Sequence, residues 1–320
     1  METPAFTVVS VGDLVADIVA PATRFPVEPY AHQTVSTITL EPGGAGNFLI
    51  AGARLGMHMV ALGLLGDDIF GRGVLDILQQ EGVDVAAVVR PPAASTSTVL
   101  VLADGEGRHV FLGRYGEAEQ VRFTETWRAR IRAADAVQTW GYALREDALA
   151  RAVLESMAYA RRHGRPVFFD PGPQVAEAHP DQRRAALAHS DVLLLTEEEV
   201  PLVLPGARRW EDARRLLTQG PRLVCVKRGP QGCVLLTAHE TVAHPGFRVP
   251  VRDTSAAGDS FDAAFVYAYL RGWPLAHMAL FANAMGAAKV QKLGTGRQVP
   301  TLEEVRRVLA EHGADASLDL

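Results

Sequence analysis

The sequence of 320 residues is poor in cysteine and in long apolar runs, and each shortage removes a class of protein. Its two cysteines, Cys225 and Cys233, are too few for the disulfide framework of a secreted domain. The N-terminal residues lack the basic segment and the long apolar core of a signal peptide. No run of about 18 or more apolar residues predicts a membrane span. We therefore expect a cytoplasmic protein that has no membrane partner.

A strong excess of one charge is also missing. The net charge is −5 and the acidic and basic residues are interspersed, so no patch favours nucleic acid or an anionic membrane surface. The apolar fraction of 48% and the charged fraction of 22% are ordinary for a globular protein. A chain of this length can bury a sizeable core. The composition therefore predicts a globular protein without a nucleic-acid partner.

What the sequence does contain is an alternation of short apolar runs and amphipathic helical patterns. The apolar runs predict strands near 6–11, 59–65, 136–140, 166–169, 192–195 and 223–226. Helical patterns separate most of them, and two long helices are expected to close the chain at 260–270 and 275–292. Strands buried on both faces and joined by helices form a mostly parallel sheet with helices on both sides. The predicted fold class is α/β, a three-layer αβα sandwich with a Rossmann-like central sheet.

Two segments break this rhythm and predict a small additional sheet. Residues 35–40, VSTITL, alternate in the manner of a strand. Residues 97–102 do the same and turn at 104–107 into a short strand at 110–112, with an Asp-Gly hairpin signal. We expect these pieces to form a small antiparallel sheet that projects from the core. Residues 231–249 predict an antiparallel edge of the main sheet, with the two cysteines on the paired strands of a hairpin.

The stretch DTSAAGDSF at 253–261 places three residues with almost no side chain before an acid and an apolar helix. Ala256, Ala257 and Gly258 are expected at the helix N-terminus, where unpaired backbone N–H groups and the helix dipole favour an anion. A phosphate can approach those amides closely because no bulky side chain intervenes. Asp259 would then stand in the first turn beside the anion, unless it only caps the helix.

A second glycine-rich stretch, PGGAGN at 42–47, also enters a helix. Its backbone is open to a ligand, and the Asn47 side chain offers a donor and an acceptor to hydroxyl groups. By itself the stretch is equally compatible with a turn capped by Asn47 or with a degenerate dinucleotide loop. The dehydrogenase fingerprint fits poorly, because that loop directly follows the first strand and this one follows the segment at 35–40.

Together these stretches resemble the ribokinase-like (PfkB) family of carbohydrate kinases. Residues 253–259 match the C-terminal signature of that family, and the resemblance extends from Val8 to about Val308. Three further segments are similar to family motifs: GDLVAD at 12–17, GLLGDDIFG at 63–71 and KRGPQG at 227–232. TEEE at 196–199 stands where the family has N-x-x-E. The resemblance implies a ribokinase-like sandwich with a small β-sheet lid.

The resemblance also implies an activity, the ATP-dependent phosphorylation of a sugar or sugar derivative. Asp259 would act as general base on the acceptor hydroxyl, and the amides of the three small residues before it would stabilise charge on the phosphoryl group. Four residues would bind sugar hydroxyls: Asp17, Gly43, Gly44 and Asn47. Asp17 has a simpler alternative role as an acid in a turn.

ATP and Mg²⁺ are the implied cofactors, with a possible K⁺. Four residues would contact the nucleotide: Thr196, Lys227, Gly229 and Asn283. Glu199 would act near Mg²⁺ through water, because Mg²⁺ keeps much of its hydration, or would be only a first-turn acid. Asp253 and Ser255 match positions that hold a monovalent cation in ribokinase, which implies activation by K⁺. The simpler alternatives make Lys227 a surface charge and Asn283 a satisfied core amide.

Departures from the family pattern bear on the acceptor. The glycine loop is one residue shorter than usual, which would displace Asn47; Val15 replaces a polar residue, and Thr196 replaces an asparagine. Arg114, just after a predicted lid strand, would favour a carboxylated or phosphorylated acceptor, because a guanidinium pairs such groups bidentately. A surface salt bridge is its alternative role. These departures argue against plain ribokinase activity rather than against kinase chemistry.

The expected division of the chain assigns residues 1–15, 42–94 and 116–313 to an α/β kinase core, 16–41 and 95–115 to the β-lid, and 314–320 to a C-terminal tail. The lid would exclude water, which competes for the phosphoryl group. Its exposed strand edges are expected to pair in a homodimer. Two alternative functions remain open: a nucleoside kinase of the same family, and an inactive protein that binds a sugar or a nucleotide.

Overall fold

The computed structural model describes residues 6–92, 94–104, 108–116, 121–314 and 318, so the turn predicted at 105–107 and most of the C-terminal tail lie outside it. The strands are β1 (Thr7–Val11), β2 (Leu14–Pro21), β3 (Thr39–Gly44), β4 (His58–Leu62), β5 (Ser97–Ala103), β6 (His109–Arg114), β7 (Ala136–Trp140), β8 (Val167–Asp170), β9 (Val192–Thr196), β10 (Leu223–Lys227), β11 (Cys233–Leu236) and β12 (Thr241–His244). The α-helices are α1 (Ala45–Arg54), α2 (Ile69–Gln80), α3 (Glu125–Ala133), α4 (Asp147–Arg162), α5 (Pro180–His189), α6 (Val200–Val203), α7 (Ala257–Leu270), α8 (Leu275–Val290) and α9 (Leu302–Glu311). None of the described helices is long and apolar enough to cross a membrane.

A large sheet of eight strands forms the centre, in the order β12-β11-β10-β9-β8-β7-β1-β4. Every neighbouring pair from β10 to β4 is parallel, whereas β11 and β12 are antiparallel at one edge. The mostly parallel sheet predicted from the sequence is therefore confirmed. The chain builds outward from β1 in both directions, to β4 on one side and to β7 on the other. The space between β1 and β7 is consequently a topological switch point.

Alternating side chains of the strands pack into two separate cores, one on each face of the large sheet. On one face Val8 and Phe168 pack with side chains of α1, α2, α7, α8 and α9. On the other face their neighbours in sequence, Val9 and Phe169, pack with α3, α4, α5 and α6. Both faces of the parallel strands are buried, which explains why these strands read as continuous apolar runs. The three-layer αβα sandwich is confirmed.

A smaller sheet has the order β3-β2-β5-β6. Its outer pairs are antiparallel, but β2 and β5 are parallel, so the sheet is mixed rather than antiparallel throughout. The strand predicted at 35–40 is wrong in position, because β3 occupies Thr39–Gly44. Its ladder with β2 starts at Val19↔Thr39 although β2 continues to Pro21, so the chain before Thr39 does not follow β2 to its end. β2 begins at Leu14, inside the predicted core segment, and the division into core and lid stays a prediction.

The helices differ from the sequence prediction at the end of the chain. α8 is followed by α9, so the predicted two-helix ending is wrong. α9 begins with a capping box: the Thr301 hydroxyl accepts from the Glu304 amide, and the Glu304 carboxylate accepts from the Thr301 amide. This Thr-x-x-Glu signal stands in the sequence and could have located the helix.

Candidate active site

The carboxyl ends of the parallel strands bring polar side chains to one edge of the large sheet. β8 ends at Asp170, β9 at Thr196 and β10 at Lys227, and these ends lie on the same edge because the strands are parallel. Ligands of open α/β sheets bind outside this edge, at the topological switch point. The chain leaves β1 there and enters β2, which carries Asp17. Residues from both halves of the sequence therefore meet at this edge.

A strained turn precedes α7. Ala256 has φ 60°, a left-handed value that costs a residue with a Cβ on the order of 1 kcal/mol. The Ala257 amide donates to the Thr254 carbonyl at 3.2 Å and closes the turn. Strain of this kind clusters at active sites and persists where the surrounding structure enforces it.

Three backbone amides beside this turn have no hydrogen-bond partner in the part of the chain that the structure describes: those of Ala256, Gly258 and Asp259. We call these three amides the anion cradle, for the role that the sequence predicts here. The Ala257 amide was predicted to belong to this group but is used in the turn, and the Asp259 amide takes its place. A Cβ built on Gly258 would have Lys227 Nζ, at 3.6 Å, as its nearest neighbour, so the protein leaves space there. The open amides, the helix dipole and the missing side chain together favour an anion.

We expect the Gly258→Ala variant to be at least as stable as the wild type and to lose phosphoryl transfer. The new Cβ makes only ordinary contacts within the protein, and alanine at a backbone conformation that it can adopt stabilises over glycine by about 0.4–1 kcal/mol, because the unfolded chain loses less entropy. Because the same Cβ stands where the anion approaches, kcat should fall by about 100-fold. Thermal unfolding and steady-state kinetics measure the two effects.

Gly286→Ala in α8 is the control for the helix effect, since a Cβ there has no neighbour closer than 3.9 Å. It should show the stability gain of a helical alanine. A Gly258→Ala enzyme with wild-type kcat would remove the cradle from the mechanism.

The carboxylate of Asp259 is held by Asn47. Asn47 Nδ2 donates to Asp259 Oδ2 at 2.8 Å, and Asn47 Oδ1 accepts from the Gly296 amide at 2.7 Å. A carboxylate only accepts and a backbone amide only donates, so these two contacts fix the orientation of the Asn47 side chain. Burial raises the pKa of Asp259 to about 6, and the charge of Asp170 adds to the rise. Asp259 is therefore a positioned carboxylate of increased basicity.

The shortened glycine loop does not carry Asn47 away from Asp259. α1 begins at Ala45, with Gly44 as N-cap at φ 49°, a left-handed value that favours glycine. Asn47 is the third residue of the helix, so the alternative that made Asn47 the N-cap is wrong. Its side chain is buried and both of its described contacts are to the protein. Binding of sugar hydroxyls by Asn47 and Gly44 stays a prediction.

Asp17 and Gly43 lie against each other across β2 and β3. A Cβ on Gly43 would overlap the Asp17 carboxyl group, so only glycine leaves room for that side chain. Burial raises the pKa of Asp17 to about 7, and the charges of Asp259 and Glu41 add to the rise. With 6% exposure in the middle of a strand, Asp17 is not a solvated turn acid. Asp17 and Asp259 therefore belong to one buried acidic pocket.

A further acid at this pocket is neutralised within the protein. Glu41 stands opposite Asp17 in the β-ladder and is held by Arg297, with Nη2 to Oε1 at 2.8 Å and Nε to Oε2 at 3.0 Å. Bidentate pairs of this kind are strong and directional. The pair ties β3 to the segment that also supplies the Gly296 amide to Asn47. The motifs of the sequence do not include either residue of this pair.

Lys227 is buried in an ionic cluster, so its alternative role as a surface charge is wrong. Its Nζ donates to Asp170 Oδ2 at 2.7 Å and to Asp262 Oδ1 at 3.0 Å. Burial lowers the pKa of Lys227, but the charges of Asp170, Asp262 and Glu199 outweigh it and raise the pKa well above its usual value. The cluster joins β8 and β10 to the first turns of α7. A contact of Lys227 with a nucleotide stays a prediction.

Glu199 follows the end of β9 and is buried, with 6% exposure. Its Oε2 accepts from the Thr196 amide at 2.8 Å. Glu199 therefore caps the turn that follows β9, which agrees with its simpler alternative role as a first-turn acid. Burial raises its pKa to about 7, and the charge of Asp170 adds to the rise. Acids that raise each other's pKa favour a nearby cation. Among the described residues no group of three or more His, Cys, Asp or Glu could cage a metal, and a role of Glu199 near Mg²⁺ stays a prediction.

The two remaining nucleotide-side residues differ in their surroundings. Asn283 Nδ2 donates to the Ala279 carbonyl at 2.7 Å and to Cys233 Sγ at 3.1 Å, which agrees with the satisfied core amide left open by the sequence. Gly229 has φ 52° and no heavy atom near a built Cβ, so space is open beside it. Cys225 and Cys233 are free, buried thiols on the paired strands β10 and β11, as predicted for the hairpin. Nucleotide contacts of Asn283 and Gly229 stay predictions.

Asp253 and Ser255, the predicted K⁺ ligands, lie at the start of the strained turn. Asp253 is fully buried; its Oδ1 accepts from the Ser255 amide at 2.9 Å and its Oδ2 from the Gly294 amide at 2.7 Å. The Ser255 hydroxyl is buried without a hydrogen-bond partner in the described residues. Both carboxylate oxygens of Asp253 are therefore engaged in holding backbone.

Arg114 lies away from the acidic pocket. The register pairs Arg114 with Thr98 and Thr98 with Ala16, so its side chain projects from the face of the small sheet opposite to that of Asp17. Its Nη1 donates to Ser95 Oγ at 2.9 Å, and its strand is exposed. The structure does not bring Arg114 together with the other predicted substrate residues, and its role stays a prediction.

The arrangement defines a class of enzyme. A positioned carboxylate of raised pKa, beside an amide cradle and outside the carboxyl edge of an α/β sheet, suits proton removal from a hydroxyl that attacks a phosphoryl group. The sequence profile of the pfkB family carbohydrate kinases matches residues 5–302. The chain belongs to this family and is an ATP-dependent carbohydrate kinase.

Known relatives cover nearly the whole chain. A nucleoside kinase of Methanothermobacter thermautotrophicus is 26% identical over 306 residues, 95% of this chain and 96% of the relative. An ATP-dependent ribose-1-phosphate kinase of Halopiger xanaduensis is 32% identical over 272 residues, 84% of this chain and 86% of the relative. The solved structure of a fructokinase with bound ATP from Xylella fastidiosa gives a TM-score of 0.82 at 25% identity, over 96% of this chain and 99% of that one. The relatives differ in acceptor, so family membership establishes the reaction but not its acceptor.

Proposed function

We propose that this carbohydrate kinase phosphorylates a hydroxyl of a neutral sugar or sugar derivative, with Asp259 as the general base. The observation that carries the proposal is the placement of Asp259. Its carboxylate is fixed at 2.8 Å by Asn47, and its own amide belongs to the anion cradle. A base and an anion site on one residue put the proton acceptor next to the phosphoryl group, which is the geometry that the transfer needs.

Each step of the proposed mechanism falls to a named group. Asp17 accepts a hydrogen bond from one acceptor hydroxyl and orients the sugar in the acidic pocket. Asp259 takes the proton of the attacking hydroxyl through Oδ1, because Asn47 occupies Oδ2. The cradle amides donate to the phosphoryl oxygens as negative charge develops there. The small sheet covers the pocket and keeps water from accepting the phosphoryl group.

The nucleotide and its metal belong on the side of β9 and β10. We place ATP beside Thr196 and the open space at Gly229, where it can present its terminal phosphate to the cradle. Magnesium, when bound, neutralises charge on the terminal phosphates. Glu199 would hold water of that ion, a role that its burial and its raised pKa next to Asp170 support. K⁺ at Asp253 and Ser255 is the remaining candidate cofactor.

The charges of the pocket favour a neutral acceptor. Asp17 and Asp259 are both acidic, and the guanidinium of Arg297 is already paired with Glu41. A phosphate or carboxylate on the acceptor would bring a further negative charge beside two carboxylates, which repel it. The acidic-acceptor alternative depends on Arg114, whose side chain projects from the other face of the small sheet. Neutral hydroxyls, which donate to carboxylates, fit best.

A nucleoside is the second candidate acceptor, since a nucleoside kinase is among the relatives of similar length. It also presents neutral pentose hydroxyls, so the acidic pocket does not discriminate against it. A protein that binds but has lost turnover is the third possibility. The intact Asp259, Asn47 and cradle speak against that loss.

A coupled assay for ADP release, run over neutral sugars, sugar phosphates, sugar acids and nucleosides, tests the proposal. We expect the highest kcat/KM on a neutral sugar and a large loss on it in Asp259→Asn. The highest kcat/KM on a nucleoside would select the second candidate, and the highest on a phosphorylated or acidic sugar would contradict the charge argument. No release above the ATPase background with any acceptor would contradict the kinase mechanism itself.

We also propose a cytoplasmic homodimer formed through the small sheet. The edge strand β6 is exposed along its described length and carries apolar side chains at Val110, Phe111 and Leu112, with 39%, 50% and 60% exposure. Exposed apolar edge strands favour pairing with a second copy. Sedimentation equilibrium should give the mass of a dimer, and Leu112→Asp should shift it towards the monomer. A wild-type protein that sediments as a monomer at micromolar concentration would contradict this part of the proposal.

A further inference from the structure

Lysine is scarce in this chain, and its placement is unusual. Of the 32 residues that are lysine or arginine, only three are lysine: Lys227, Lys289 and Lys292. Lys289 is fully buried on α8, although lysine is almost never fully buried without a partner. An ammonium is a compact point charge, unlike the wide planar guanidinium that the chain uses elsewhere. A buried lysine in such a sequence is therefore a candidate for a specific electrostatic role.

The surroundings of Lys289 are those of the expected K⁺ site. Its Nζ donates to the Lys292 carbonyl at 3.1 Å. The amides of Arg252 and Asp253 donate to the carbonyl of Val290, the residue after Lys289, at 2.7 and 3.2 Å, so the chain at Asp253 lies directly beside this end of α8. Burial lowers the pKa of Lys289 to about 8, and the opposite charges of Asp253 and Asp259 limit the fall. The nearby carboxylates therefore favour the charged form of the Lys289 side chain.

A K⁺ ion does not fit the charges of this place. Asp253 is the fully buried carboxylate here, and both of its oxygens already accept backbone amides. The Lys289 ammonium donates to the Lys292 carbonyl, two residues before the Gly294 amide that Asp253 holds, so a cation of the chain already lies close to this carboxylate. A second cation would leave an excess positive charge in a buried region, which desolvation penalises. The expected ligand set of Asp253 and Ser255 is thus present in sequence but is neutralised by a residue of the chain.

We propose that the Lys289 ammonium takes the part of the monovalent cation at Asp253, so that the enzyme needs no K⁺ and Lys289 is a positioning residue for the anion cradle. The position of the ammonium beside Asp253 does not depend on the proposed kinase function. Its effect on catalysis rests on that function. Asp253 holds the strained turn through Ser255 and the following loop through Gly294. That loop supplies the Gly296 amide to Asn47, which holds Asp259. Lys289 therefore acts on both the cradle and the base through Asp253.

The first test compares the wild type in KCl and in tetramethylammonium chloride at equal ionic strength. We expect kcat to agree between the two salts within about twofold, and the unfolding temperature to agree within error. An ion that has no binding site shifts neither quantity. Activation by K⁺ of about tenfold or more, or a rise of the unfolding temperature in KCl alone, would overturn the proposal. The unfolding temperature needs no acceptor, so this arm decides even if no acceptor is found.

The second test removes the ammonium. In tetramethylammonium chloride Lys289→Ala should lose kcat by about 10- to 100-fold, because a shift of the cradle by a fraction of an ångström misplaces the reacting groups. K⁺ or NH₄⁺ should restore much of the loss and raise the unfolding temperature, because Lys289→Ala leaves space for the ion beside Asp253. Lys289→Met, which keeps the length without the charge, should be equally slow and should not recover.

Arg307→Ala is the matched control, since it removes an exposed cation of α9 and should change neither measurement in either salt. A folded Lys289→Ala that keeps wild-type kcat without K⁺, or that no monovalent ion restores or stabilises, would overturn the proposal. If neither Lys289 variant folds, the comparison of salts on the wild type decides alone. Failure of the kinase proposal would appear separately, as absence of turnover with all acceptors in every salt.

Discussion

Asp259→Asn should reduce kcat by about 10²- to 10⁴-fold, the usual contribution of a positioned general base. The amide of asparagine cannot take the proton of the acceptor hydroxyl at neutral pH. Its oxygen can still accept from Asn47 Nδ2, so the fold and the position of the side chain should be kept. Steady-state kinetics on the best acceptor measure the loss, and titration calorimetry with ATP shows that nucleotide binding is retained.

Asp181→Asn is the control for this substitution, because Asp181 is an exposed acid in the first turn of α5, with 68% of its side chain accessible. It should leave kcat unchanged. An Asp259→Asn enzyme within about threefold of the wild type would remove proton abstraction by this residue from the mechanism.

Lys227→Met should have the largest effect on stability, a loss of about 3–5 kcal/mol in the free energy of unfolding. The substitution keeps the length of the side chain but leaves Asp170 and Asp262 buried without their cation. Asp262 is fully buried and its Oδ2 already has no partner in the described residues, so it cannot turn to another donor there. Unfolding in guanidinium chloride, followed by circular dichroism, gives the change in free energy.

Lys292→Met is the matched control, since it removes a lysine whose pair with Glu304 is partly open to solvent, with 24% and 31% exposure. Partly exposed pairs contribute about 1 kcal/mol or less, so its loss should be several times smaller. Equal losses in the two variants would show that the buried cluster around Lys227 contributes no more than a surface pair.

The layers of the fold could be predicted because each parallel strand is visible in the sequence as a short apolar run. Runs such as Val192–Thr196 are apolar throughout, since both of their faces are covered, and helical patterns separate them. The position of β3 could not be found in the same way. Residues 35–40 alternate as a strand would, but the register of β3 is fixed by its ladder with β2, which is distant in sequence. Alternation gives the local preference and leaves the register to tertiary contacts.

The residues of the candidate site also differ in whether local sequence or tertiary contacts determine their role. Asp259, Gly258 and Gly44 stand in short motifs whose backbone requirements are local, and the structure brings the two motifs together at Asn47. Asp170 and Asp262 were missed because the sequence around them does not explain why an acid should be buried there. Both acids are buried because they pair with Lys227, which lies on another strand. An acid at the end of the buried strand β8 was a usable signal, since strand ends of this kind meet at one edge.

The pH dependence of kcat/KM tests the role of Asp259 most directly. Only the ionised carboxylate can accept a proton, and its pKa is raised to about 6, so the rate should climb with pH through about 6 and level off above about 7, where Asp17 is ionised as well. Asp17→Asn should keep this acid limb, shifted to lower pH by the removal of a like charge. The residual activity of Asp259→Asn should show no limb near pH 6. The same limb in Asp259→Asn as in the wild type would assign the proton transfer to another group and contradict the mechanism.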